Sequence, residues 1–182
     1  MEKALRKVTV KVSTEAAFIL LTVVSALVLP QIFHAAGMHF GIGGALGQMF
    51  LPMYLPVMIL GFYRGAAVGA IAGLISPLVS FAITSMPAKA ILPYIAVELI
   101  ATGLLAGVFA KVKLPALLRV FLVQICAKAA RLCAFAIGVS ASGATLTVDG
   151  LFAGIAQSWP GVLLQLALVT YLIFVKEKKR DA

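Results

Sequence analysis

Apolar residues run along this chain in blocks too long for the alternation of a strand or the one-sided stripe of a soluble helix. Six blocks stand between short polar or Gly- and Pro-containing breaks: about residues 14–33, 41–63, 65–83, 91–110, 115–139 and 151–175. About 20 apolar residues in a helix cross a hydrocarbon core of roughly 30 Å, and each block is of that order. The pattern predicts one all-α integral membrane domain over residues 1–182, with six transmembrane helices. Thr14 and Glu15 read as an N-cap and a first-turn acid for the first span. The basic stretch before it would suit a signal peptide. The apolar run that follows is longer than the usual 7–15 or so residues and lacks a small-x-small cleavage site, so the segment is expected to stay as a helix.

Composition narrows the class further. The chain has 182 residues, 63% apolar and 12% charged, with a mean hydropathy of +1.11. A soluble domain holds about 45–50% apolar and about 25% charged residues, which excludes a water-exposed globule. Six spans leave no length for a soluble catalytic domain. The net charge of +9 therefore asks which side of a membrane the cations occupy, and no nucleic-acid partner is expected. With the N-terminus in the cytoplasm, the inner side holds Lys3, Arg6, Lys7, Lys11, Arg64, Lys111, Lys113, Arg119, Lys176, Lys178, Lys179 and Arg180, against Lys89 outside. Both termini are then expected to be cytoplasmic.

The connections differ in length. Gly61-Phe62-Tyr63-Arg64-Gly65 reads as a tight inner turn, while the outer connections Pro30 to Phe40, Thr84 to Lys89 and Ser140 to Gly150 are longer. Long loops on one face suit a ligand lid as well as ordinary variation. Glycines recur four apart at Gly43 and Gly47, at Gly65, Gly69 and Gly73, and at Gly103 and Gly107. That spacing lets helix backbones approach closely, either within the fold or against another membrane subunit. Cys126 and Cys133, seven residues apart on one helix, are about 10.5 Å apart along its axis, too far for a disulfide. They are expected to be buried packing residues.

No catalytic constellation emerges. His34 and His39 have no nearby carboxylate or thiol to complete a zinc set, and neither a Walker A loop nor a nucleophile elbow occurs. They read better as interfacial or ligand-facing histidines. What remains is polar chemistry at membrane depth, which is costly and usually functional or paired. Glu98 lies about 10 Å below the outer surface on the fourth helix, and Arg131 at a matching depth on the fifth. They are expected to face the interior and pair, or to share a ligand. Lys128 shares the face of Arg131, and Gln124 continues it downward, flanked by Phe121 and Phe135. Tyr94 stands one turn above Glu98, Gln157 and Trp159 fall near its depth, and Gln165 lies deeper. Two cations against one carboxylate leave about one positive charge to be satisfied at low dielectric. An anionic ligand would satisfy it, as would Lys128 reaching for water or carbonyls. Pro52 and Pro56 kink the second span, and Ser76-Pro77 is a similar interruption of the third.

The run Phe50-Leu51-Pro52-Met53 with Pro56-Val57, Gly61-Phe62 and Gly65, extended by Ser76-Pro77, Met86-Pro87, Glu98-Leu99 and Gly103, resembles the substrate-binding S components of energy-coupling factor (ECF) vitamin transporters. The similarity covers roughly residues 34–110 and the six-span plan. It implies a prokaryotic cytoplasmic-membrane protein that captures a micronutrient outside the cell. It also implies association with a transmembrane coupling subunit and two cytoplasmic ATPases. The chain itself would be no enzyme and carry no cofactor. The pocket would lie in the outer half, among the outer loops and the fourth to sixth helices, with Glu98, Lys128, Arg131, Trp159, Tyr94, Gln124, Gln157 and His39 as candidate substrate contacts. The family's Ala-x-x-x-Ala docking patch has no clean counterpart at Ala16-Ala17-Phe18-Ile19-Leu20-Leu21, and Thr22 with Ala26 is the nearest small-residue pair. A self-sufficient transporter or channel is the alternative, and would call for polar residues crossing the whole membrane.

Overall fold

A computed structural model describes residues 2–43, 45–142 and 156–181. Their ordered elements are α1 (Glu2–His39), α2 (Ala45–Phe50), α3 (Tyr54–Arg64), α4 (Ala66–Thr84), α5 (Leu92–Phe109), α6 (Ala116–Ser142) and α7 (Trp159–Asp181). Among the described residues there is no strand. Also among the described residues, five segments are long and apolar enough to cross a membrane: Lys11–His39, Ala66–Thr84, Leu92–Phe109, Ala116–Gly138 and Trp159–Lys179. The chain is a helical membrane protein. Most of the outer connection 140–150, and the first residues of the block 151–175, lie outside the described residues.

Three expectations are corrected. The first helix does not give way to a loop at Pro30 but runs through it to His39. It stops where Gly41 takes up φ +73°, with Ile42 N–H donating to Gly37 O at 2.9 Å and Gly41 N–H to Met38 O at 3.2 Å. That is a Schellman motif, which needs a left-handed residue that glycine supplies cheaply. Nor does Ser76-Pro77 interrupt the third block, since α4 continues through it. The block 41–63 is two helices. Proline lacks an N–H and disfavours helical geometry in the preceding residue, and Leu51 before Pro52 sits at φ +46°. Pro56 falls in the first turn of α3, where no intrahelical bond is lost.

The broken backbone is satisfied by its neighbours. Leu51 O accepts from Tyr54 N–H at 3.1 Å and from Gln165 Nε2 of α7 at 3.2 Å. Gly161 of α7 lies flat on the Phe50 carbonyl, where any Cβ would collide.

Helix α5 is central, packed against α3, α4 and α6, while α1 covers α3 and α4 and α7 covers α6. The glycine ladder is internal packing: a Cβ on Gly69 would strike the Gly103 carbonyl and one on Gly103 the Gly69 carbonyl, while Gly73 abuts Leu99 and Gly107 abuts Ala66. Thr22 and Ala26 are likewise buried, so that small-residue pair faces the fold's own interior. Cys133 is exposed and Cys126 only half-buried, because α6 turns that side away from its neighbours.

At one end of the bundle, cations are held by their surroundings. Arg64 grips Glu15, with Nε donating to Oε2 at 2.9 Å, and lies 4.4 Å over the Phe18 ring. Arg119 pairs with Glu177. Lys176 donates to Phe62 O at 3.1 Å and stands 4.3 Å over Tyr63.

Candidate functional site

Glu98 sits on the second turn of α5 and is 2% exposed. Its face of α5 meets both α3 and α6, so its carboxylate is reached from two sides. Arg131 Nη1 of α6 donates to Oε2 at 3.0 Å and Lys128 Nζ, one turn earlier, to Oε1 at 3.3 Å. From α3, the Tyr54 hydroxyl donates to Oε2 at 2.8 Å. One carboxylate thus collects three donors from two helices. The matching depths of Glu98 and Arg131 do bring them into contact.

Charge is not balanced within the cluster. Lys128 and Arg131 have side chains 20% and 13% exposed, so both cations are largely withdrawn from solvent. They share a single carboxylate. The Nε of Arg131 is buried and makes no hydrogen bond. An orphaned donor on a partly buried guanidinium costs free energy, and an acceptor of negative charge placed beside it would recover that cost.

Beside the cluster is a small cavity of about 10 Å³, lined by Glu98, Tyr54, Lys128, Thr102, Gln124 and Gln165 together with four apolar residues. That is room for about one water. Gln124 closes it by donating to Val162 O at 3.2 Å, tying α6 to α7. A second cavity, of about 350 Å³, opens between α1, the α2–α3 break and the α4–α5 connection. Leu51 and Tyr54 line both.

The remaining sequence candidates scatter. Tyr94 stacks edge-on against Phe135 at 5.3 Å, with its hydroxyl over Gly138. Trp159 is 62% exposed at the start of α7, and Phe121 is 46% exposed. Gln157 is exposed. His39 ends α1, exposed, edge-on to Phe40 at 5.5 Å. None of these lines either cavity. Tyr54 is the residue that sequence reasoning missed; the signal was a tyrosine two residues after the proline that breaks its span. Among the described residues, no three His, Cys, Asp or Glu side chains group as a metal site would need.

Comparison with protein-family models, with curated proteins and with solved structures finds no match to this chain.

Proposed function

We propose that this chain is the substrate-capture subunit of an ECF-type importer, binding an anionic or carboxylate-bearing micronutrient in the outer half of the membrane. The observation that carries this reading is the buried Glu98–Lys128–Arg131 cluster with its uncompensated cation and the free Nε of Arg131. In this reading α2 and α3 together make the sixth crossing, and the Lys/Arg bias puts both termini in the cytoplasm. The interlocked Arg64, Arg119 and Lys176 supply the inner end, and Glu98 then lies in the outer half. ATP hydrolysis and coupling belong to separate subunits, as the resemblance of residues 34–110 implies. The clustering of polar groups at one depth favours capture over a channel, which needs a polar path throughout.

Native mass spectrometry of the detergent-purified protein, followed by denaturation, is expected to release a small carboxylate or phosphate compound. Lys128→Ala and Arg131→Ala should each weaken its binding 10-fold or more, about 1.4 kcal/mol or more, in protein that still folds. Binding equal to the parent in both folded variants would remove the charge argument. An empty protein with no thermal shift across a panel of anionic vitamins would overturn the capture role. A C-terminal reporter active only in the cytoplasm should be active when fused after Ala182; an inactive one would refute the topology.

A further inference from the structure

The cavity beside Glu98, about 10 Å³, has room for about one water. A carboxylate or phosphate compound therefore enters only if a wall moves. The walls come from α3 with the turn before it, α5, α6 and α7. Three of these are held by interlocked apolar side chains. Met58 of α3, Leu99 of α5, and Val120 and Val123 of α6 are each at most 1% exposed. Helix α5 is also locked to α4 through Gly69 and Gly103.

The two halves of α7 are built differently. In the half that carries Lys176, Val169 and Ile173 are buried in the core, and Leu166 packs against it. In the half that begins at Trp159, the buried residues are Gly161 and Gln165, neither with a large apolar side chain. Val162 there is half-buried, and Leu163 and Leu164 are exposed. Two amides tie this half to its neighbours. Gln165 Nε2 donates to Leu51 O at 3.2 Å, and Gln124 Nε2 of α6 donates to Val162 O at 3.2 Å.

Those ties are exchangeable. Val162 O keeps the N–H four residues later in its own helix, and Leu51 O keeps the Tyr54 N–H at 3.1 Å. Breaking either amide bond strands no carbonyl, and each freed amide can donate to an incoming anion. The other half of α7 has the close side-chain packing that holds helices together in a bilayer.

We propose that the Trp159 half of α7 is a hinged wall of the site, pivoting about Val169 and Ile173, with Gln124 and Gln165 as its latch. Its opening exposes Glu98, Lys128 and Tyr54 and turns both latch amides into ligand donors. This deepens the capture reading and rests on it for what enters, but the motion itself needs no ligand.

Double electron–electron resonance on the full chain in detergent tests the hinge, in a Cys126→Ala, Cys133→Ala background. Spin labels at Ile83→Cys and Trp159→Cys span α4 to the hinged half, and labels at Ile71→Cys and Phe174→Cys span α4 to the anchored half. All four positions are exposed, and the glycine contacts with α5 make α4 a fixed reference. The first pair is expected to show a short main distance and a minor longer one. Gln165→Leu, alone and with Gln124→Leu, should raise the longer population several-fold and leave the second pair unchanged. Tyr63→Phe is the contrast. It too removes a bond onto an α7 carbonyl, Leu172 O at 3.0 Å, but in the anchored half, and should move neither pair. Should the double latch variant misfold by circular dichroism, Gln165→Leu against Tyr63→Phe decides. No lengthening in Gln165→Leu, equal lengthening of both pairs, or an equal response to Tyr63→Phe would each overturn the hinge. The distances are read without ligand and capture is read from the released compound, so either can fail alone.

Discussion

Gly103→Ala is expected to destabilise the protein by about 1–3 kcal/mol, the usual range for overpacking, and Gly103→Leu to leave little folded material. Between helices in a bilayer no hydrophobic difference drives association, and close van der Waals packing has to do so. Here the approach is reciprocal. The missing Cβ of Gly103 leaves room for the Gly69 carbonyl, and that of Gly69 for the Gly103 carbonyl. Both obstacles are backbone, so no side chain can swing aside, and α4 and α5 must part along their whole shared face. Because α5 also carries Glu98 and packs on α3 and α6, the displacement would reach the charged cluster. Leu104→Ala next door is the control: Leu104 is 41% exposed, and its truncation should cost under about 0.5 kcal/mol as at other surface positions. Thermal unfolding in detergent and elution profiles read both. Equal stability of Gly103→Ala and Leu104→Ala would mean that the α4–α5 contact does not limit the fold.

The same helices show what a sequence makes legible. Blocks 65–83, 91–110 and 115–139 correspond to α4 (Ala66–Thr84), α5 (Leu92–Phe109) and α6 (Ala116–Ser142) within a few residues, because a long apolar run between breakers has few alternatives in a bilayer. Counting at a fixed rise then places Glu98 and Arg131 at one depth, and they meet. Tyr54 defeats the same count. On an unbroken helix from residue 41 it would lie about 20 Å down, roughly twice the depth of Glu98. The turn at Leu51 and Pro52 brings it level with the carboxylate. That turn is stable only because Gln165 and Gly161, more than a hundred residues later, receive it. Trp159 fails for another reason: depth is set by rise, whereas the direction a side chain faces is set by which neighbours cover the helix. The glycine ladder left internal packing and external docking equally open, and only the partner surfaces of Gly69 and Gly103 decide between them.

Glu98→Ala is expected to be the most damaging substitution at the candidate site, costing about 3–5 kcal/mol. Removing one partner from a buried ionic group is worse than removing the group, because the survivors remain desolvated. Here three survive at once. Arg131 and Lys128 lose their carboxylate, and the Tyr54 hydroxyl loses its acceptor at 2.8 Å. Tyr54→Phe should be far milder, about 1.5–3 kcal/mol, since it deletes one bond to a charged group and leaves both cations paired. The triple variant Glu98→Met, Lys128→Met, Arg131→Met removes the whole cluster and should regain most of the stability lost in Glu98→Ala, because apolar replacements of buried ion pairs are often neutral or better. A cluster retained only for stability would make the triple variant equivalent to the parent in every assay. A cluster retained to hold an anion would leave the triple variant stable and unable to bind one. Thermal unfolding alongside anion binding therefore separates the two roles, and a Glu98→Ala protein that melts with the parent would show that the cluster does not contribute to stability.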